Sequence, residues 1–265
     1  MNTFFAYLKR TFVLQIKEVI IYPASLWSVI VTAPLYALSQ IIFLETIYSQ
    51  TSNFAGFTKY QAYILFGTFM MVQSLGYIFL YSRLIKLKAL IRGEGQESFE
   101  MALTKPIDAQ IFATLGRYSL GSIAPFFVTL SIVVYGMTYE FQAWNMSGVI
   151  QYVFIVCMGV FINYLLFLFI STFLFWFPEL QVVEAIWESL AGFGQYPSAL
   201  YRGAAGVLFN LIIPVTLMAS IPVEFLFGRK PWYMFFVYLA IVAALFLLVR
   251  LFWNWAIKEY SGSGS

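Results

Sequence analysis

The stretch FIVCMGVFINYLLFLFISTFLFWF, from Phe154 to Phe177, carries no charged side chain. Coiled as an α-helix it extends about 36 Å at 1.5 Å per residue, more than the ~30 Å hydrocarbon layer of a bilayer. Its apolar residues run on without alternation, whereas a membrane barrel strand alternates apolar and polar positions over about 10 residues. A second run, Met234 to Trp253, repeats the pattern with Arg250 as its single charge. The chain as a whole follows suit. Of its 265 residues 62% are hydrophobic and 10% charged, against roughly 45–50% and 25% in soluble domains. An all-α protein embedded in a membrane is expected, as one domain over residues 1–260 followed by a flexible tail, residues 261–265.

Further spans lie on either side of these runs. The first covers Leu26 to Ile47, entered through Tyr22, Pro23 and Trp27, and the second covers Gln61 to Tyr81. The third runs from Ile111 to Met137, with Asp108 placed to cap its N-terminus. The fourth is Gly148 to Trp176. The last is Trp232 to Trp255, with tryptophans at both ends as an interfacial aromatic belt predicts. Residues 1–20 differ. Phe5, Leu8, Phe12, Ile16 and Val19 recur at helical spacing among Lys9, Arg10, Gln15, Lys17 and Glu18, which predicts an amphipathic helix in the headgroup plane. Packing against the protein's own bundle is the alternative.

Residues 177–228 admit two arrangements. Hydropathy alone makes Ala204 to Phe225 the fifth span and leaves Glu179 to Tyr201 as an amphipathic helix on the cytoplasmic side. In the other arrangement Glu179 to Leu200 crosses, and residues 203–226 form a re-entrant helical hairpin broken near Pro214 and Pro222, because proline lacks the amide donor and clashes with the preceding turn. The second arrangement puts Glu184 and Glu188, four residues apart on one helix face, at membrane depth. Each costs about 2–3 kcal/mol if it faces lipid, so both are expected to face the protein interior or a watery cavity.

Orientation follows from the basic residues. With the N-terminus in the cytoplasm, Lys9, Arg10, Lys17, Arg83, Lys86, Lys88, Arg92, Lys105, Arg117, Arg250 and Lys258 fall on or near the inner side. Lys59, Arg229 and Lys230 fall outside, and the side of Arg202 depends on which arrangement residues 177–228 adopt. This asymmetry places both termini inside. The net charge of +3 is too small to suggest nucleic-acid binding.

Several chemistries are excluded. There is no histidine, hence neither the commonest general base nor the commonest transition-metal ligand. No phosphate-cradling G-x-x-x-x-G-K-[ST] loop is present, and no catalytic or metal constellation stands out. Cys157 is the single cysteine and is expected to be a small buried apolar residue. Asn145-Met146-Ser147 is a formal glycosylation sequon close to the membrane. The most informative polar segment is residues 83–108. Within it Arg92-Gly93-Glu94-Gly95 makes a turn and a short helix follows from Gln96 to Leu103, ending before Lys105-Pro106. Phe99, Ala102 and Leu103 share one face of that helix. They are expected either to pack under the bundle or to dock into a groove on a cytoplasmic partner.

The order of these parts resembles the type-2 family of ABC exporter permeases, in its bacterial branch of unassigned or multidrug-type substrates. The residues carrying the resemblance run from Arg92-Gly93 to Leu103-Thr104-Lys105-Pro106. To these are added Gln195-Tyr196-Pro197-Ser198-Ala199-Leu200-Tyr201, Ile212-Ile213-Pro214-Val215 and Tyr260-Ser261-Gly262. Glu94-Gly95-Gln96-Glu97 departs from the plainer Gly-x-x-Asp-like stretch of the family. The resemblance implies six transmembrane helices, an N-terminal interface helix, a cytoplasmic coupling helix and an extracellular re-entrant hairpin before the last span. It also implies a bacterial inner-membrane location and a separate ATPase subunit holding ATP and magnesium, with no cofactor in this chain. A second permease subunit, identical or a sister, would complete the path. Arg92, Glu97, Phe99, Glu100, Leu103 and Lys105 would couple to the ATPase, and Glu184 and Glu188 would line the path. Two rival readings fit the composition: a proton-coupled secondary transporter working through Glu184 and Glu188, and a membrane assembly scaffold that moves nothing.

Overall fold

Five helices in the computed structural model are long and apolar enough to cross a bilayer. The structure describes residues 13, 15–17, 20–21, 23–94, 98–104, 108–115, 117–180 and 182–260. Among these the chain is helical apart from turns and one isolated bridge between Phe54 and Phe57. Most of the expected interface helix lies outside the described residues, as do Glu97, Lys105-Pro106 and residues 261–265.

The first crossing helix is α1, Pro23–Tyr48, and the second is α2, Lys59–Gly76. A capping box starts α2: the Gln61 amide donates to Thr58 Oγ1, and the Thr58 amide donates to Gln61 Oε1 at 3.2 Å. A π-helical turn, Tyr77–Tyr81, interrupts it before Ser82–Leu84 and a short helix α3, Leu87–Ile91, extend it. Beyond lie α4, Phe99–Thr104, and α5, Ala109–Thr114. The third span was expected to run unbroken from Ile111. Instead the helix stops after Thr114, where Leu115 turns extended, and resumes as a 3₁₀ turn, Leu120–Ser122, leading into α6, Ile123–Tyr139. Asp108 therefore caps α5 and not a span.

The helix α7, Met146–Thr172, prolonged by Phe173–Phe175, holds the decisive apolar run. Its first turn is capped by Asn145, whose Oδ1 accepts from the Gly148 amide at 2.7 Å. The last crossing helix is α11, Met234–Glu259. Burial sorts these helices. In its most apolar stretch α2 is 67% buried and α7 56%, against 6% for α1 and 17% for α6 and α11. The bundle is thus centred on α2 and α7, with three helices presenting apolar faces outward. Glycines bring backbones together across α2 and α6. A Cβ on Gly136 would sit 2.9 Å from the Tyr60 carbonyl oxygen, and one on Gly67 would sit 3.2 Å from that of Thr129. Small residues at such crossings let membrane helices pack closely.

Neither long fifth helix forms. Between α7 and α11 the chain makes α8, Val183–Ala191, a 3₁₀ turn Gly192–Gln195, and a second 3₁₀ turn Ser198–Leu200. Next come α9, Gly203–Val207, a π turn Leu208–Ile212, a 3₁₀ turn Val215–Met218 and α10, Ser220–Leu226. Gly192, Gly194 and Pro197 loosen the first half, and Pro214 breaks the second. Even so, residues 183–197 run alongside α2 in the opposite direction. Glu184 lies beside Leu84 and Lys88, and Gln195 to Pro197 lie beside Ala62 and Phe66. Residues 198–226 fold back on themselves, with the Ser198 amide donating to Ser220 Oγ at 3.0 Å. Close approach to α7 seats this hairpin: a Cβ on Gly159 would lie 2.9 Å from the Met218 carbonyl oxygen. Cys157, expected to be buried, is exposed on α7, within a spanning segment.

Candidate functional site: an anchored short helix and an acidic pair

The C-terminal end of α3 is shaped by its backbone. The Glu94 amide donates to the Ala89 carbonyl at 2.9 Å and the Gly93 amide to that of Leu90 at 3.3 Å. This is the Schellman closure of a helix C-terminus, which needs a left-handed residue. Gly93 supplies it with φ +66°. Arg92, just before the turn, pairs with Glu94 at 2.9 Å and with Glu179 at 3.5 Å, so it ties the α3 end to the loop after α7.

The following helix, α4, is held by one side chain. Phe99 is fully buried, its ring 4.9 Å from Phe175, 5.4 Å from Tyr260 and 6.3 Å from Trp253. Tyr260 in turn donates to the Ile91 carbonyl at 3.1 Å. Helical spacing puts Phe99 and Leu103 on one face, expected either to pack under the bundle or to dock on a partner. The structure divides them: Phe99 points into the aromatic cluster, while Leu103 is 46% exposed and Glu100 and Thr104 are exposed beside it. Burying the phenyl ring contributes about 2–3 kcal/mol, enough to fix a six-residue helix that is too short to be stable alone. Phe99 therefore positions α4, and Leu103 with Glu100 forms its open side.

At a separate place, α8 buries Val183, Trp187 and Ala191, and the neighbouring face carries Glu184 and Glu188. Both carboxylates meet Tyr77, whose hydroxyl donates to Glu188 Oε1 at 2.9 Å and lies 3.5 Å from Glu184 Oε1. Tyr77 opens the π turn of α2, a local widening that recurs at functional positions. Glu184 is half-buried and Glu188 exposed. The sequence offered no signal for Tyr77, one tyrosine among 18.

A third cluster ties α5, α7 and α11 together. Arg250 donates to both carboxylate oxygens of Asp108 and, at 2.7 Å, to Gln110 Oε1. Gln110 Nε2 donates to the Tyr164 hydroxyl at 2.9 Å, and Thr114 meets the same hydroxyl at 2.9 Å. Asp108 also accepts from the Gln110 and Ile111 amides at 3.0 and 3.2 Å. The hydrogen bond from Arg250, with these amides, holds the Asp108 carboxyl below its usual pKa. The lone charge of the last apolar run is thus a structural tie between α11, α5 and α7. Farther up, Arg83 is buried with its guanidinium 4.0 Å above the Phe112 ring.

These features define a polytopic α-helical membrane protein with a short helix pinned at one end of the bundle. The chain belongs to the family described as "ABC-2 family transporter protein", which it matches over residues 35–264. No curated protein and no solved structure matches it. Subunits of this family are membrane permeases that do not themselves hydrolyse ATP and generally work with an ATPase partner.

Proposed function

We propose that this chain is the membrane-spanning subunit of an ATP-driven exporter in the bacterial cytoplasmic membrane. Separate ATPase subunits bind ATP and magnesium, and a second permease, identical or a sister, shares the path. The observation that carries the reading is α4: a short helix pinned by Phe99, with Leu103 and Glu100 left open at the end of the bundle. Arg92 braces the turn before it, and Glu97 and Lys105 flank it in sequence. Movement of an ATPase groove against this helix passes to α7 and α11 through the Phe175, Trp253 and Tyr260 cluster.

Both termini lie in the cytoplasm in this reading, with six crossings. Residues 183–197 make the fifth, supported by their antiparallel course along α2, and residues 198–226 make a re-entrant element on the outer side, supported by the contact between Ser198 and Ser220. Glu184 and Glu188 with Tyr77 line the path.

Leu103→Asp tests the proposal. In a mild-detergent pull-down of the tagged chain from its native cells, the wild type is expected to bring down a stoichiometric ATPase. Losing an apolar anchor of this size costs about 2–3 kcal/mol, so the variant is expected to retain under a tenth of it. A wild-type preparation that stays free of ATPase after gentle crosslinking would sink the exporter reading.

A further inference from the structure

Helix α3 with the turn before it, the end of α7 and the start of α8 line a partly open cavity of about 80 Å³ bordered by Lys88, Ser171 and Glu184, with Phe167 as part of its apolar wall. Ser171, which borders the cavity, is fully buried and its hydroxyl has no hydrogen-bond partner. A buried hydroxyl left unpaired costs about 1–3 kcal/mol, a cost that a polar group entering the cavity beside it would relieve. The two charges on the walls are also unmatched. Glu184 has only the long Tyr77 contact at 3.5 Å, and Lys88 forms no ion pair among the described residues. One cavity thus offers a cation on one wall, a carboxylate on another and a free hydroxyl between the helices. At roughly 10–15 Å³ per water-sized group, it holds about five to eight such groups. Two exposed apolar side chains also line it, Ile85 at 37% and Leu180 at 36%. Lipid tails can leave past them.

We infer that this cavity binds the ammonium–phosphate head group of a zwitterionic aminophospholipid, phosphate towards Lys88 and ammonium towards Glu184. A primary ammonium donates three hydrogen bonds, which Glu184 and Ser171 can accept. A quaternary ammonium donates none, and a glycerol head group lacks the cation. The inference stands apart from ATPase coupling, because binding is read on the full chain without nucleotide.

The test uses the delipidated full-length chain in detergent, given an equimolar mixture of dioleoyl phosphatidylethanolamine, phosphatidylglycerol and phosphatidylcholine. Bound lipid is read by intact mass spectrometry. Phosphatidylethanolamine is expected to be retained about tenfold over the other two, the ratio given by one charge-assisted hydrogen bond. Lys88→Gln and Glu184→Gln are each expected to remove that preference, while Lys258→Gln, on the exposed end of α11, leaves it intact. Equal retention of all three lipids by the wild type, or a preference that survives both cavity variants, overturns the inference. Displacement of the lipid by an equal concentration of free phosphoethanolamine overturns the lipid assignment, leaving a soluble zwitterion as the ligand.

Discussion

Asp108 has two tasks that can be separated chemically. It caps α5 through two backbone amides and holds Arg250 through both carboxylate oxygens. Asp108→Asn keeps an acceptor for the cap and loses the charge pairing. Asp108→Ala loses both, and the cap alone is worth about 1 kcal/mol. About a third of each side chain is exposed, so screening holds the ion pair to about 1 kcal/mol as well. Thermal unfolding in detergent is expected to rank wild type above the asparagine variant, and that above the alanine variant. The pH dependence has a definite sign. The carboxyl titrates lower in the folded chain than in the unfolded chain, so its contribution is complete above about pH 4 and is lost as pH falls through the depressed folded value. The gap between wild type and Asp108→Asn should hold from pH 7 to about 4 and close below that. A gap that stays constant to pH 2.5 would show that the pair does not supply it.

The crossing of α2 with α6 depends on the absence of side chains at Gly67 and Gly136, and Gly136 is the tighter of the two. A Cβ on Gly136 meets Ile64 Cγ1 at 2.6 Å and the Tyr60 carbonyl oxygen at 2.9 Å, whereas one on Gly121 finds nothing nearer than 3.8 Å. Gly136→Ala should therefore cost about 1–3 kcal/mol through overpacking, and Gly121→Ala should leave the melting temperature nearly unchanged. Equal melting temperatures for the two variants would mean that the crossing is not close-packed. For α4, Phe99→Ala is expected to cost about 3–5 kcal/mol, released as local loosening of residues 98–104 to hydrogen exchange, while Leu103→Ala leaves that protection unchanged.

The same elements explain what was legible beforehand. Long apolar runs specify α1, α2, α7 and α11 because hydrocarbon leaves the backbone no other partner. Phe99 could not be assigned to an inward or outward face from its spacing, since the cluster receiving it comes from residues 76 to 161 positions further along the chain. Within the break across residues 192–203, a Cβ on Gly194 would meet the Val215 carbonyl oxygen at 2.7 Å, a close approach that periodicity does not report. The pairing of Glu184 and Glu188 was visible at i, i+4, but Tyr77, Lys88 and Ser171 join them only through the fold.

The whole molecule turns on whether residues 177–200 cross the bilayer. Their course along α2 carries Glu184 from the level of Lys88 to Pro197 at the level of Ala62, and α2 is itself a spanning helix. Two segments that lie side by side over that length share their depth, so in the proposed six-crossing arrangement the ends of residues 179–199 emerge on opposite faces. Glu179 has its side chain 80% exposed, and Ala199 is exposed beside the Ser198–Ser220 contact. Single cysteines at these positions, in a chain carrying Cys157→Ala to remove the exposed native thiol, report the two faces directly. In intact cells a membrane-impermeant maleimide is expected to label Ala199→Cys and to spare Glu179→Cys until the membrane is opened. Labelling of both before opening, or of neither, would put the two ends on one side. Residues 177–200 would then lie along a face of the bundle, and the acidic pair would leave the path.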